Sequence, residues 1–127
     1  MLFEVVEDRL EGWTVLTVIG ELDLGVAPRL RHAVLRALND AGRGDGAGGD
    51  PAPRLLLDLR EVDLIDSSGL GIIMGALRRV RAADGELAIA VSEPARALFE
   101  LTRLDHILAL GATLTDAIAA ADGDAHG

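Results

Sequence analysis

LLLDLREVDLIDSSGLG, residues 55 to 71, holds the change of rhythm on which the reading of this chain turns. Leu55 to Leu59 is a nearly continuous apolar run, the pattern of a central strand buried on both faces. From Gly69 onward, Leu70, Ile73, Met74, Leu77 and Val80 recur at helical spacing, and Arg78, Arg79 and Arg81 fall in the last turn, where cations complement the negative end of the dipole. A strand therefore hands over to a helix at the two serines.

The same alternation extends in both directions. Upstream, Leu2 to Val6 and Trp13 to Ile19 are strand-like, with Trp13, Val15, Thr17 and Ile19 on one face, and Glu11-Gly12 between them suggests a hairpin. A helix is predicted from Ala27 to Asn39 with Pro28 in its first turn, an inward stripe of Leu30, Ala33 or Val34, Ala37 and Leu38, and Arg29, Arg31 and Arg36 facing water. Residues 40–53 hold five glycines and two prolines and read as a flexible surface loop, spanning about 20 Å as a coil. Downstream, Ala82 to Gly85 stops the second helix, and Glu86 to Val91 supplies a strand. Ser92-Glu93-Pro94 opens a helix to Leu101, with serine as cap and proline in the first turn. Ile107 to Leu110 is a last short strand, Thr113 or Thr115 caps a helix through Ala121, and 122–127 reads as a frayed tail. The prediction is one small α/β domain over residues 1–121: a mixed β-sheet of 4–5 strands with 3–4 packed helices around one main core.

Composition narrows the chemistry. The chain has 127 residues, enough for one domain. Half of it is hydrophobic but only 2% is aromatic, which leaves no stacking platform for single-stranded nucleic acid. A net charge of −9 argues against any nucleic-acid partner, since phosphates demand a basic face. With no cysteine there is no disulfide, thiol nucleophile or thiolate-held metal. All twelve basic residues are arginine, so the lysine of a P-loop or a Schiff base is missing. His32, His106 and His126 are far apart and show no metal-ligand spacing. The first residues do not resemble a secretion signal, and no apolar run reaches the roughly 18 residues that span a bilayer, so no membrane association and a cytoplasmic location are expected.

The serines admit two accounts. In the first, Asp66 or Ser67 is the helix N-cap, its side-chain oxygen accepting a backbone N–H and contributing about 1 kcal/mol. That leaves Gly69 and Gly71 unexplained, because each glycine costs a helix about 1 kcal/mol relative to alanine. Both suggest the close approach of another backbone or a partner. In the second account one serine is docked by another protein and phosphorylated. Serine hydrolysis fits poorly, since Asp66 stands where a nucleophile elbow has glycine in G-x-S-x-G, and no histidine is nominated as base. Aspartyl phosphorylation, on Asp58 for example, lacks the lysine that holds the phosphoryl group.

GELD (Gly20 to Asp23), the 55–71 stretch with its DSSGLG core, and EPARALFELTRL (Glu93 to Leu104) together resemble the anti-sigma factor antagonist branch of the STAS family, over roughly residues 3 to 118 without the glycine-rich loop. The resemblance implies a small mixed sheet with packed helices and a binding activity, with no enzymatic reaction and no cofactor. It implies that the unphosphorylated protein captures an anti-sigma factor that is also a serine kinase. That kinase would phosphorylate the residue matching Ser67, and a PP2C-type phosphatase would reverse the step. It places Asp23 near that serine on the interaction surface, and with Asp66, Ser67, Ser68, Gly69 and Gly71 this makes up the expected partner surface of a monomer or weak dimer. The alternative within the same family is a non-switching scaffold or sensor module of a stress-signalling or lipid-transport complex, binding a nucleotide or other anion at the same helix N-terminus.

Overall fold

The computed structural model describes residues 3–41 and 52–124. Two antiparallel strands come first, β1 (Glu4–Leu10) and β2 (Trp13–Ile19), paired from Glu4 opposite Ile19 to Leu10 opposite Trp13. Glu11 and Gly12 make the turn between them with φ of 51° and 87°. Two successive positive φ values are the twist that a two-residue hairpin needs. Helix α1 (Ala27–Ala41) follows, then β3 (Arg54–Glu61), α2 (Ser67–Ala82), β4 (Glu86–Val91), α3 (Glu93–Leu101), a 3₁₀ turn (Leu104–His106), β5 (Ala109–Gly111) and α4 (Leu114–Asp124).

The sheet runs β1-β2-β3-β4-β5, and every pairing after the hairpin is parallel. Three successive crossovers step in one direction across it. Right-handed crossovers made that way put their helices on a single face. On that face α1 contributes Leu30, Val34 and Ala37, α2 contributes Ile73, Ala76, Leu77 and Val80, and α3 contributes Ala95 and Phe99, against Leu55, Leu57, Leu59 and Ile89 of the sheet.

This is the expected main core, and a second, smaller apolar cluster lies on the other side of the sheet. Trp13, Val15, Leu56, Ala88 and Ala90 point to the opposite face and share a cluster with Ala117 and Ala121 of α4, which packs on β3, β4 and β5. Small side chains on both partners let the helix lie close to the strands, which builds a second, thinner apolar layer. β3 is accordingly buried on both faces from Leu55 to Leu59, as its sequence suggested.

Other boundaries shift by a few residues. β5 begins at Ala109, two residues later than its apolar run, because Leu104 to His106 coil into the 3₁₀ turn. Thr113 is the cap of α4, its hydroxyl oxygen accepting from the Asp116 N–H at 3.0 Å, and the helix continues past Ala121 to Asp124. Of the loop expected at 40–53, residues 42–51 lie outside the described residues, as do 125–127 of the tail. Asp40 and Ala41 belong to α1. No helix among the described residues is long and apolar enough to cross a membrane.

Candidate functional site

The pairing of β2 with β3 does not stop at the strand ends. An isolated parallel bridge joins Leu22 to Ile65. The Leu22 N–H donates to the Leu64 carbonyl at 2.9 Å, and the Asp66 N–H donates to the Leu22 carbonyl at 3.1 Å. The turn after β2 is thereby fastened beside the entry to α2, and residues some 40 positions apart in sequence share one surface.

Asp66 is the joint. It sits at the N-cap of α2 in extended backbone conformation, with φ −92° and ψ −176°. One carboxylate oxygen accepts from the Gly69 N–H at 3.0 Å, the bond of a helix cap. The other accepts from the Leu24 N–H at 2.9 Å, holding the neighbouring turn. Of the two candidate caps, Asp66 is the one used. Ser67, freed from that role, is exposed at the first position of α2, and Ser68 beside it is half-buried.

Asp23 completes the acidic side of the surface. Its carboxylate accepts from the Gly25 N–H at 3.0 Å, and its backbone carbonyl accepts from Val26 and Ala27, the latter at 2.9 Å, starting α1. The bridge and the Asp66–Leu24 bond thus set the turn that carries Asp23 beside the Asp66-Ser67-Ser68 entry to α2. The two glycines part company. Gly69 is buried, and a Cβ there would lie 2.7 Å from Leu22 Cγ and 2.9 Å from the Leu22 carbonyl oxygen. Its smallness serves contact within the chain, between α2 and the turn after β2, which corrects its placement on the partner surface. Gly71 is exposed, and a Cβ there would meet nothing within 4 Å.

Leu24 and Leu64 were not foreseen. They are 73% and 55% exposed, and both flank the Asp66 clamp. An apolar residue inside a turn, directly between Asp23 and Gly25, was the available signal for Leu24. For Leu64 there was none, because it stands in an unbroken apolar pair with Ile65, which is buried.

A second charged cluster lies in the sheet. Asp58 is only 4% exposed. It accepts from Arg60 Nε at 2.9 Å, from Arg60 Nη2 at 3.1 Å, from the Arg60 N–H at 3.2 Å and from the Thr17 hydroxyl at 3.2 Å. Burial raises the cost of its charge, but the hydrogen bonds and charge of Arg60, with a smaller contribution from Thr17, outweigh it. The carboxyl is held below its ordinary range. Every donor it needs is supplied by its own sheet, so this cluster is structural.

The family model described as the STAS domain matches residues 5–117. The anti-sigma-B factor antagonist of Listeria monocytogenes is 33% identical over 92 residues, which is 72% of this chain and 72% of that protein. The anti-sigma-B factor antagonist of Staphylococcus aureus is 33% identical over 90 residues, 70% of this chain and 74% of its own. Among solved structures, an anti-sigma factor antagonist from Mycobacterium paratuberculosis superposes with a TM-score of 0.77 at 29% identity, covering 95% of both chains.

Proposed function

This chain belongs to the STAS domain family, and we propose that it is an anti-sigma factor antagonist switched by phosphorylation of Ser67. In its unphosphorylated form it captures an anti-sigma factor that is also a serine kinase, and so releases the sigma factor. The kinase transfers a phosphoryl group to Ser67, the pair separates, and a PP2C-type phosphatase resets the switch.

The observation that carries this reading is the division of labour at the start of α2: Asp66 does the capping, and Ser67 stands exposed beside it with no structural duty. A hydroxyl so placed can be modified without dismantling the helix. A phosphate adds about −1.5 to −2 charges at pH 7. Near the first N–H groups of α2 that charge is tolerated by the helix dipole, worth about 0.3 to 1 kcal/mol in its favour. The same charge lands next to the Asp66 carboxylate and on the surface shared with Asp23. At an interface fitted to a neutral hydroxyl, like-charge juxtaposition costs several kcal/mol. Binding is lost while the fold is kept.

Intact mass after incubation with candidate anti-sigma kinases and ATP tests the site. Wild type and Ser68→Ala should each gain one phosphate, and Ser67→Ala none. Phosphate on Ser67→Ala, or none on wild type with a kinase that binds it, contradicts the switch and favours a non-switching scaffold.

A further inference from the structure

The chain as a whole is acidic, yet its charge is unevenly placed. Helices α1 and α2 carry Arg29, Arg31, Arg36, Arg78, Arg79 and Arg81, half of the twelve basic residues, against a single carboxylate, Asp40. Arg29 lies over the Phe3 ring at 5.1 Å, and Arg81 donates to the Ile107 carbonyl at 3.3 Å. Arg31, Arg78 and Arg79 are exposed, and among the described residues none of them pairs with a carboxylate.

These three arginines surround one feature, a groove of about 240 Å³ between α1 and α2. Its apolar part is formed by half-buried Leu35 of α1 and Ile72 of α2, over a floor of buried Val34 and Ala76. Gly71 and Gly75, one helical turn apart, add no side chains to its α2 wall. Packing within the chain accounts for neither: a Cβ at Gly71 meets nothing, and one at Gly75 meets only Arg78 Nη2 at 3.8 Å. Glycine weakens a helix relative to alanine, so two of them on an open wall suit the close approach of another backbone.

We propose that this groove docks an amphipathic acidic helix of the protein partner, with aliphatic side chains on the apolar part and carboxylates on Arg31, Arg78 and Arg79. The inference rests on the reading of this chain as a protein-binding regulator and supplies the chemistry of the partner's contact. Charge complementarity selects a carboxylate-bearing segment, and the apolar lining selects one with aliphatic residues on the same side. A polynucleotide has no use for that lining, and the chain's net charge of −9 repels any polyanion that cannot confine itself to the groove. The groove begins at Gly71, one turn beyond Ser67, so a partner seated in it also reaches the switch serine.

The test uses a fluorescein-labelled helical peptide with glutamates on one side and leucines on the other, followed by anisotropy with the full chain. Wild type should bind it despite its acidic net charge, and the affinity should fall as ionic strength rises from about 0.01 M to about 0.15 M. The triple variant Arg31→Gln/Arg78→Gln/Arg79→Gln should bind about tenfold more weakly or worse. Gly71→Leu, which leaves the charge unchanged and fills the wall, should do the same. Thermal melts of each variant show that the fold persists. No binding by wild type, equal binding by either variant, or binding of inorganic phosphate or anionic phosphatidylserine vesicles in place of the peptide overturns the proposal. None of these readouts involves phosphorylation, so this inference and the Ser67 switch can fail separately.

Discussion

Asp66 uses both carboxylate oxygens, one within its own helix and one across to Leu24. Asp66→Ala removes a cap worth about 0.5 to 2 kcal/mol and leaves the Leu24 N–H without its charged acceptor, so a total loss of about 1 to 3 kcal/mol in urea unfolding is expected. Asp66→Asn should lose less, because an amide oxygen still accepts one of the two bonds. Local sequence could not choose between Asp66 and Ser67 as the cap, since both residue types serve that role well. The choice is made by Leu24, 42 positions away in sequence. Asp58 was legible only as part of an apolar strand, because the arginine that neutralises it lies two residues on and looks like an ordinary strand-end charge. With its carboxyl held below the ordinary value near 3.9, Asp58 contributes stability that is fully present above that value and is lost as pH falls through its lower, folded value. Denaturant midpoints measured from pH 5 downward should therefore fall less steeply in Asp58→Asn than in wild type, from a lower starting stability. Parallel curves would show that the Arg60 pairing has no such effect.

At the scale of the element, α2 holds two glycines that the sequence presents as equivalent. Substitution by alanine should separate them by sign. Gly69→Ala must push Leu22 or the backbone of its turn aside, at about 1 to 3 kcal/mol, which exceeds the gain in helix propensity of about 1 kcal/mol. Gly71→Ala meets no atom and should stabilise by about 0.5 to 1 kcal/mol. Thermal unfolding of the two variants decides the matter, and a shift of the same sign in both would contradict this account of the turn. Periodicity found α1 and α2 because each buries a stripe of aliphatic residues, and the cap and proline at Ser92-Glu93-Pro94 found α3. Periodicity gave no partner for α4, which buries only Ala117 and Ala121, in a cluster with Ala88, Ala90 and Ala109 of the sheet beside larger Trp13, Val15 and Leu56. Ala88 and Ala90 on that face of β4, like Ala117 and Ala121 of α4, are too small to mark a second layer in the sequence.

Across the whole molecule, the parallel order of the sheet brings the turn after β2 and the entry to α2 together at one end, while the caps and cores that stabilise the fold lie beneath them. The α/β class and the mixed sheet were legible from alternating periods, and Asp23 could be associated with Ser67 only through resemblance, because nothing local to either residue specifies the bridge from Leu22 to Ile65. Ser67, unlike Asp66, is thus separable from the stability of the domain, and phosphorylated protein should unfold within about 1 kcal/mol of the unmodified form. Whether the surface is a switch is decided most directly by the affinity of the purified protein for the proposed anti-sigma kinase, measured by calorimetry before and after stoichiometric phosphorylation of Ser67. The account predicts a loss of about a hundredfold or more, equivalent to about 2.8 kcal/mol, with the melting temperature nearly unchanged. Equal affinity for the two forms would contradict it.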